Sequence, residues 1–146
     1  MNEGIHSVAL SKKFPNGVTA LINVSITIGQ GEFVALIGRS GSGKSTLMNI
    51  LGGLDHPTTG SVTINGKEVD YRNRTNLIDI RRTQVGFIFQ QFNLIPSLSA
   101  MENVAYPLLF NYSPKEERTE RAIRLLTMVG LGERADHLPH QLSGGE

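Results

Sequence analysis

The sequence contains no cysteine and no tryptophan. Without cysteine, the chain can form neither a disulfide framework nor a thiolate metal site, which is typical of proteins in a reducing compartment. It has no apolar run approaching the ~20 residues that a membrane-spanning helix needs, and its first residues lack the basic and then apolar pattern of a secretory signal. We therefore expect a cytoplasmic protein.

The chain also has almost no net charge. Its 14 basic and 13 acidic residues nearly cancel, so we expect no bulk attraction to nucleic acid or to an anionic membrane. With 146 residues, of which 39% are hydrophobic, the chain can bury one core but is too short for a second complete domain. Glycine is plentiful for a chain of this length, with 16 copies that cluster where the backbone must turn tightly.

The first part of the chain is rich in strand patterns. Apolar runs at residues 5–10 and 18–28 flank the turn residues Pro15, Asn16 and Gly17, which predicts an antiparallel hairpin. Residues 61–64 predict another strand, which ends at a hairpin tip of Asn65 and Gly66.

Two continuous apolar runs, at residues 33–37 and 85–89, are typical of strands buried on both faces of a sheet. Helical spacing over residues 44–51 predicts a helix that Gly52 ends, and residues 77–82 predict a second, short helix.

The pattern becomes helical from about residue 99. Ser99 and Glu102 have the spacing of a capping box, as do Ser113 and Glu116, and Pro114 would occupy the first position of the second of these helices. That helix should end at Gly130. Its predicted apolar face consists of Ala122, Ile123, Leu125, Leu126 and Val129.

The strongest motif is a glycine-rich loop between the predicted strand at 33–37 and the predicted helix at 44–51. It fits the pattern G-x-x-x-x-G-K-[ST], in which backbone N–H groups and a helix N-terminus surround phosphate groups. A chance match in a chain of this length is on the order of one in a hundred. The loop residues are Gly38, Arg39, Ser40, Gly41, Ser42, Gly43, Lys44 and Ser45.

The side chains of this loop have distinct predicted roles. Lys44 would reach the β- and γ-phosphates, Ser45 would bind Mg²⁺ through its hydroxyl, and Thr46 could donate a hydrogen bond to a phosphate oxygen. This predicts a site for a nucleoside triphosphate. The motif alone does not identify the family, because kinases, GTPases, helicases and transport ATPases share it.

A second motif, Leu142-Ser143-Gly144-Gly145-Glu146, selects among these families. With the phosphate loop it closely resembles the ABC ATPase family, whose signature is LSGG followed by Gln or Glu. Phe14, the segment 86–90 ending in Gln90, and Pro139 also stand in the family's order. The resemblance spans essentially the whole chain. Segments 57–60, 81–82, 90–94 and 102–104 look most like the group serving lipoprotein release, macrolide or peptide export, and cell division.

The resemblance implies an α/β P-loop NTPase fold of the ABC type, with its C-terminal part missing. Residues 1–98 would form the antiparallel β subdomain and the phosphate-loop core, residues 99–131 the helical subdomain, and residues 132–146 a loop with the signature. The full-length protein would be an ATPase that couples ATP binding and hydrolysis to a membrane permease. It would sit on the cytoplasmic face of the inner membrane and pair its cassettes as a homodimer, without nucleic acid.

The resemblance also implies roles for single residues. Phe14 would stack on adenine, although a core aromatic of the hairpin is the alternative. Gln90 would contact Mg²⁺ and the attacking water, with Gln91 as the competing choice because a one-residue shift reverses a side chain's direction. Ser143, Gly144 and Gly145 would bind the γ-phosphate held by the opposite cassette. The alternative is a flexible Ser-Gly-Gly tail or linker without a binding role.

The family's later elements, which include the magnesium-binding aspartate, the general-base glutamate and the switch histidine, do not occur in this sequence. We therefore expect the chain alone to bind ATP with negligible turnover. The alternative function is accordingly a truncated nucleotide-binding module.

Overall fold

A computed structural model describes residues 4–111 and 113–145. They fall into two compact units, which divide after Ile88. The first unit contains the sheet, and the second contains only helices, 3₁₀ turns and loops. The subdomain boundary near residue 98 remains a prediction. Among the described helices, none has the length and apolar character needed to cross a bilayer.

The first unit is built on an antiparallel sheet. Strand β1 (Gly4–Lys13) pairs with β2 (Thr19–Gly29) on one edge and with β3 (Thr59–Ile64) on the other, and the short β4 (Lys67–Glu68) extends β3. The order is therefore β2-β1-β3-β4. The predicted hairpins at residues 15–17 and 65–66 are both confirmed.

Two non-glycine residues in these strands adopt the left-handed conformation, which such residues seldom do. They are Ala9 at φ 52° and Asn23 at φ 51°, and both lie where the β1–β2 register is irregular. Their amides donate to the hydroxyl groups of Ser25 and Ser11, at 2.8 and 3.0 Å. The serine hydroxyls thus replace ladder bonds that the bulges interrupt.

Helix α1 (Lys44–Leu51) begins and ends where its sequence pattern predicts. Its buried residues meet the inward-facing side chains of the sheet in one core, whose fully buried members are Leu10, Ile50 and Val62. Its C-terminal end is also held by polar contacts. The Tyr71 hydroxyl donates to the carbonyl of Ile50 at 2.7 Å, and Arg81 donates to that of Gly53 at 3.0 Å.

Arg81 belongs to helix α2 (Arg74–Thr83), which is longer than the predicted 77–82. The helix starts earlier because the Asn73 side chain caps it, accepting from the amides of Thr75 and Asn76 at 3.0 and 3.2 Å.

The two predicted central strands are wrong. Residues 33–37 and 85–89 form no strand, and the side chains of Phe33, Ile37 and Ile88 are 97%, 94% and 101% exposed. Within the described ranges, the sheet consists of β1–β4 alone, so neither segment pairs as a strand with it. Only the alternate residues Val85 and Phe87 turn inward, the Phe87 ring lying directly against Gly52.

The second unit contains α3 (Ala100–Ala105), a 3₁₀ segment (Tyr106–Asn111) and α4 (Lys115–Met128), with α3 packed on α4. The capping box at α3 is confirmed: the Ser99 amide donates to Glu102 at 2.8 Å, and the Glu102 amide donates to the Ser99 hydroxyl at 3.2 Å. Two short 3₁₀ turns follow, at Gly132–Arg134 and Pro139–Gln141.

The predicted start of α4 is wrong. Pro114 is extended, with ψ 152°, so the helix begins one residue later and has no side-chain cap. Ser113 consequently precedes the N-cap position, and no side chain caps the helix. Gly130, at φ 81°, ends the helix as predicted, and the Leu131 amide donates to the Leu126 carbonyl at 2.8 Å.

The apolar face of α4 is only partly buried. Ala122 and Leu126 are enclosed, whereas Ile123, Leu125 and Val129 are exposed.

We expect Gly60→Ala to destabilise the first unit more than Gly66→Ala. Both glycines are left-handed, at φ 92° and 78°, so alanine costs about 1–2 kcal/mol of backbone strain at either position. At Gly60, a Cβ would also lie 2.5 Å from the Val8 carbonyl oxygen, while at Gly66 it would meet open space. Urea unfolding of the two variants measures the difference, and equal midpoints would contradict the register of β1 and β3.

Candidate phosphate-binding site

The loop before α1 turns tightly because two of its glycines are left-handed. Gly41 has φ 78° and Gly43 has φ 88°. A Cβ on Gly43 would lie 2.5 Å from the carbonyl oxygen of Ala20 in β2. The loop therefore lies against the β1–β2 hairpin, and only glycine fits at this point of contact.

The ammonium group of Lys44 lies inside the curve of the loop. It donates to the carbonyl oxygens of Gly38 and Arg39 at 2.9 and 2.8 Å, and it is 3.4 Å from the hydroxyl of Ser42. In the described part of the chain, it forms no ion pair with a carboxylate. A positive charge without a carboxylate partner is thus held at the centre of the loop.

The N-terminus of α1 adds to this positive character. Gly43 is its N-cap and provides no side-chain cap, and the first turn contains no acidic residue. The first amides of a helix lack partners within the helix and carry roughly half a positive charge. The half-buried Thr46 and the exposed Ser45 lie in this first turn. The arrangement has the chemistry of an anion site, to which phosphate oxygens are suited.

The residues are also compatible with Mg²⁺ bound together with a phosphate ligand. The Ser45 hydroxyl is a hard oxygen donor of the kind that Mg²⁺ prefers, and Mg²⁺ commonly takes its remaining ligands from phosphates and water. Among the described residues, no group of three His, Cys, Asp or Glu side chains could hold a metal by itself. A metal here would therefore depend on the phosphate groups of the ligand.

Phe14 lies at the tip of the hairpin that abuts the loop. It is half-buried and does not belong to the hydrophobic core cluster. The ammonium of Lys12 lies over its ring, 5.2 Å from the centroid. The same ammonium pairs with Asp55 at 2.6 Å and donates to the carbonyl of His56 at 2.6 Å.

In the second unit, Gln90 and Gln91 are both exposed in a loop. Because no strand forms at residues 85–89, strand alternation does not choose between them. Asn103 fixes the far end of this loop: its side-chain oxygen accepts from the Ile95 amide at 2.8 Å. Its amide nitrogen donates to the carbonyls of Ile95, Leu98 and Ser99 at 3.1, 2.9 and 3.0 Å.

The segment at residues 143–145 is exposed and follows the 3₁₀ turn at Pro139–Gln141. Gly144 and Gly145 form a turn, and Glu146 lies outside the described residues. No helix stands behind Ser143 in the described part of the chain, so the structure supplies no helix N-terminus there.

Comparison with known proteins decides the family. The sequence profile described as "ABC transporter" matches residues 21–146, which is most of the chain. The chain belongs to the ABC transporter family.

Curated members of the ABC transporter family resemble the chain closely but are longer. The macrolide export ATP-binding/permease protein MacB of Burkholderia pseudomallei is 49% identical over 140 residues, covering 94% of this chain and 21% of the relative. An uncharacterized ABC transporter ATP-binding protein of Thermotoga maritima is 50% identical over 129 residues, covering 88% and 55% respectively.

Solved ABC structures share the fold. The dimeric ATP-binding cassette MJ0796, bound to ADP and phosphate, matches with a TM-score of 0.86 at 46% identity over 97% of this chain and 64% of its own. CbiO1 of Clostridium perfringens matches with a TM-score of 0.81 at 27% identity over 99% and 57%. The predicted ABC nucleotide-binding fold is confirmed.

Within this ABC chain, the structure brings the predicted residues from Gly38 to Thr46 into one local site, beside the hairpin that carries Phe14. Gln90 and the 143–145 segment belong to the other unit. Sequence reasoning missed Lys12 and Asp55. The available signal was a lysine two residues after the core residue Leu10 on the same strand face, since a lysine in a buried position requires a partner.

Asp55 should make the first unit sensitive to acid. Burial by itself raises the pKa of Asp55. The net pKa is nevertheless below its usual value, because hydrogen bonds from Lys12 and the His56 amide, and the nearby charges of Lys12 and His56, stabilise the ionised carboxylate. A lowered folded-state pKa contributes stability that is present above the unfolded pKa of about 3.9 and is lost as pH falls through the folded value.

We therefore expect Asp55→Asn to reduce the fall in unfolding free energy between pH 5 and pH 2 relative to the unchanged chain. Urea titrations at several pH values measure this. Asp79→Asn is the control, because that carboxyl group is exposed and forms no ion pair among the described residues. An acid dependence that Asp55→Asn leaves unchanged would contradict the ion pair.

Proposed function

We propose that the chain is the ATP-binding part of an ABC transporter that couples ATP binding and hydrolysis to a membrane permease. The observation that carries the proposal is the Lys44 ammonium, held inside a glycine loop beside the uncapped N-terminus of α1. A triphosphate entering the loop would replace two neutral carbonyl acceptors with charged oxygens, and charge-assisted hydrogen bonds are the stronger kind.

The remaining site residues have matching roles in this proposal. The amides from Gly41 to Thr46 surround the phosphates, and Ser45 shares Mg²⁺ with them. Phe14 offers a ring for the adenine to stack on. Gln90, with Gln91 as the alternative, approaches the metal and the attacking water. Ser143, Gly144 and Gly145 bind the γ-phosphate of a second cassette.

The comparisons support a nucleotide and two partners. MJ0796 is described as dimeric and as bound to ADP and phosphate, which favours ATP as ligand and a second copy of the chain as partner. MacB is named as an ATP-binding/permease protein, which favours a membrane permease as the other partner. In our proposal, the ATP-binding part lies on the cytoplasmic face of the inner membrane, next to that permease. In our proposal, the segment 99–131 and the loop after Gln90 contact that permease, and its cargo is a lipoprotein, a peptide or a drug-like molecule.

A second candidate function is nucleotide binding without turnover by this chain. The sequence has no Asp or Glu from Phe33 to Leu54, so the loop and α1 contain no carboxylate that could polarise a water next to the γ-phosphate. The two candidates share Lys44 and differ only in phosphate release.

We expect Lys44→Ala to weaken binding of a fluorescent ATP analogue with Mg²⁺ by about 10-fold or more, because it removes charge-assisted hydrogen bonds of ~1.5–3 kcal/mol. Lys67→Ala is the matched control, because it removes the same charge from an exposed lysine in β4, outside the loop. Fluorescence titration measures both, and equal affinities for the two variants would refute the proposed site.

Phosphate release from the same samples separates the two candidates. Release that depends on Lys44 would support the coupled ATPase. Lysine-dependent binding without release would support the binding module.

A further inference from the structure

We propose that Lys12 is a positioning residue for the nucleotide base: its buried ammonium holds the Phe14 ring and determines which face of that ring the base can use. The proposal rests on the proposed function, because it assumes that Phe14 stacks on the base of a nucleotide bound at the phosphate loop.

The burial of Lys12 is the first argument. Only 6% of its side chain is exposed, and a buried ammonium is retained only where its charge and its donors are satisfied. Asp55 provides the opposite charge at 2.6 Å and the His56 carbonyl accepts at 2.6 Å. The Phe14 ring lies on a further side, with its centroid 5.2 Å away, within the ~6 Å range of a cation–π contact.

The position of Asp55 is the second argument. The amides of Leu54 and Asp55 both donate to the carbonyl of Asn49, at 2.8 and 3.2 Å, so this segment is fixed to the last turn of α1. Helix α1 begins at the phosphate loop. The ion pair therefore connects the strand that leads directly into Phe14 to the helix whose other end carries the phosphate site.

Backbone contacts reinforce this connection. The Thr58 amide donates to the carbonyl of Ser11 at 2.8 Å, and the Lys13 amide donates to the Thr58 hydroxyl at 2.9 Å. The end of β1 is thus joined to residues 54–58 on both sides of Lys12. The Phe14 ring and the phosphate loop are consequently attached to opposite ends of one helix, α1, which is about 12 Å long.

The ammonium also restricts stacking. A cation over one face of an aromatic ring occupies that face, so a base must approach Phe14 from the opposite face. Loss of the ammonium would free both faces and release the ring from the α1 segment. The expected defect is in recognition of the base, with recognition of the phosphates retained.

The experiment compares two ligands, ATP and inorganic tripolyphosphate, each with Mg²⁺, by calorimetry on the complete chain. Lys12→Met keeps the length of the side chain and removes its charge. We expect it to weaken ATP binding by about 5- to 10-fold, in line with the strength of base stacking on aromatic side chains, and to leave tripolyphosphate binding within about 2-fold. Lys13→Met, at the adjacent exposed lysine, should change neither affinity.

Two further variants test whether Lys12 acts through the ring. In a Phe14→Leu background, which weakens ATP binding by itself, Lys12→Met should cause no additional loss. Lys12→Arg should restore much of the preference for ATP, because a guanidinium can pair with Asp55 and lie over the ring.

Equal weakening of both ligands by Lys12→Met, or a full additional loss in the Phe14→Leu background, would overturn the proposal. If Lys12→Met binds neither ligand, Asp55→Asn decides: a lowered ratio of ATP to tripolyphosphate affinity supports the proposal, and an unchanged ratio overturns it. Failure of the proposed function itself is distinguishable, because Lys44→Ala would then leave both affinities unchanged.

Discussion

The complete burial of Ile50 in one hydrophobic core with Leu10 and Val62 is the constraint on which the candidate site depends. It holds α1 against the sheet, and the loop is held with it because Gly43, the last loop residue before the helix, is also the N-cap of α1. The loop can then leave its amides and the Lys44 ammonium for a ligand, because the stability of the helix comes from packing instead of an N-terminal cap. A side chain at the cap would have stabilised the helix and occupied the anion site.

The features that sequence reasoning predicted well are those set by neighbouring residues. The hairpin tip at Asn65 and Gly66, the capping box of Ser99 and Glu102, and the end of α4 at Gly130 each depend on a few adjacent side chains. The failures at residues 33–37 and 85–89 have the opposite cause. A strand exists only when another segment bonds to it, and an apolar run does not reveal whether that segment is present.

The site shows the same division. A contiguous motif identifies Gly38 to Thr46, whereas the Lys12–Asp55 pair joins residues far apart in sequence and becomes visible only when β1 lies beside the end of α1. Asn103 is a similar case in the second unit. Its side chain forms four hydrogen bonds to the segment 95–99 and so fixes the far end of the loop after Gln90. No local sequence pattern predicts these bonds.

The exposed apolar segments at 33–37 and 85–89 have a consequence for the behaviour of the first unit in solution. The hairpin, α1 and β3 form the core without strand pairing by either segment, so the shape of the phosphate loop does not depend on a strand at these positions. In this arrangement the side chains of Phe33, Ile37 and Ile88 are accessible to water, to other chains and to chaperones that bind extended apolar sequences. The geometry of the ligand site and the tendency to aggregate are thus set by different segments of this unit.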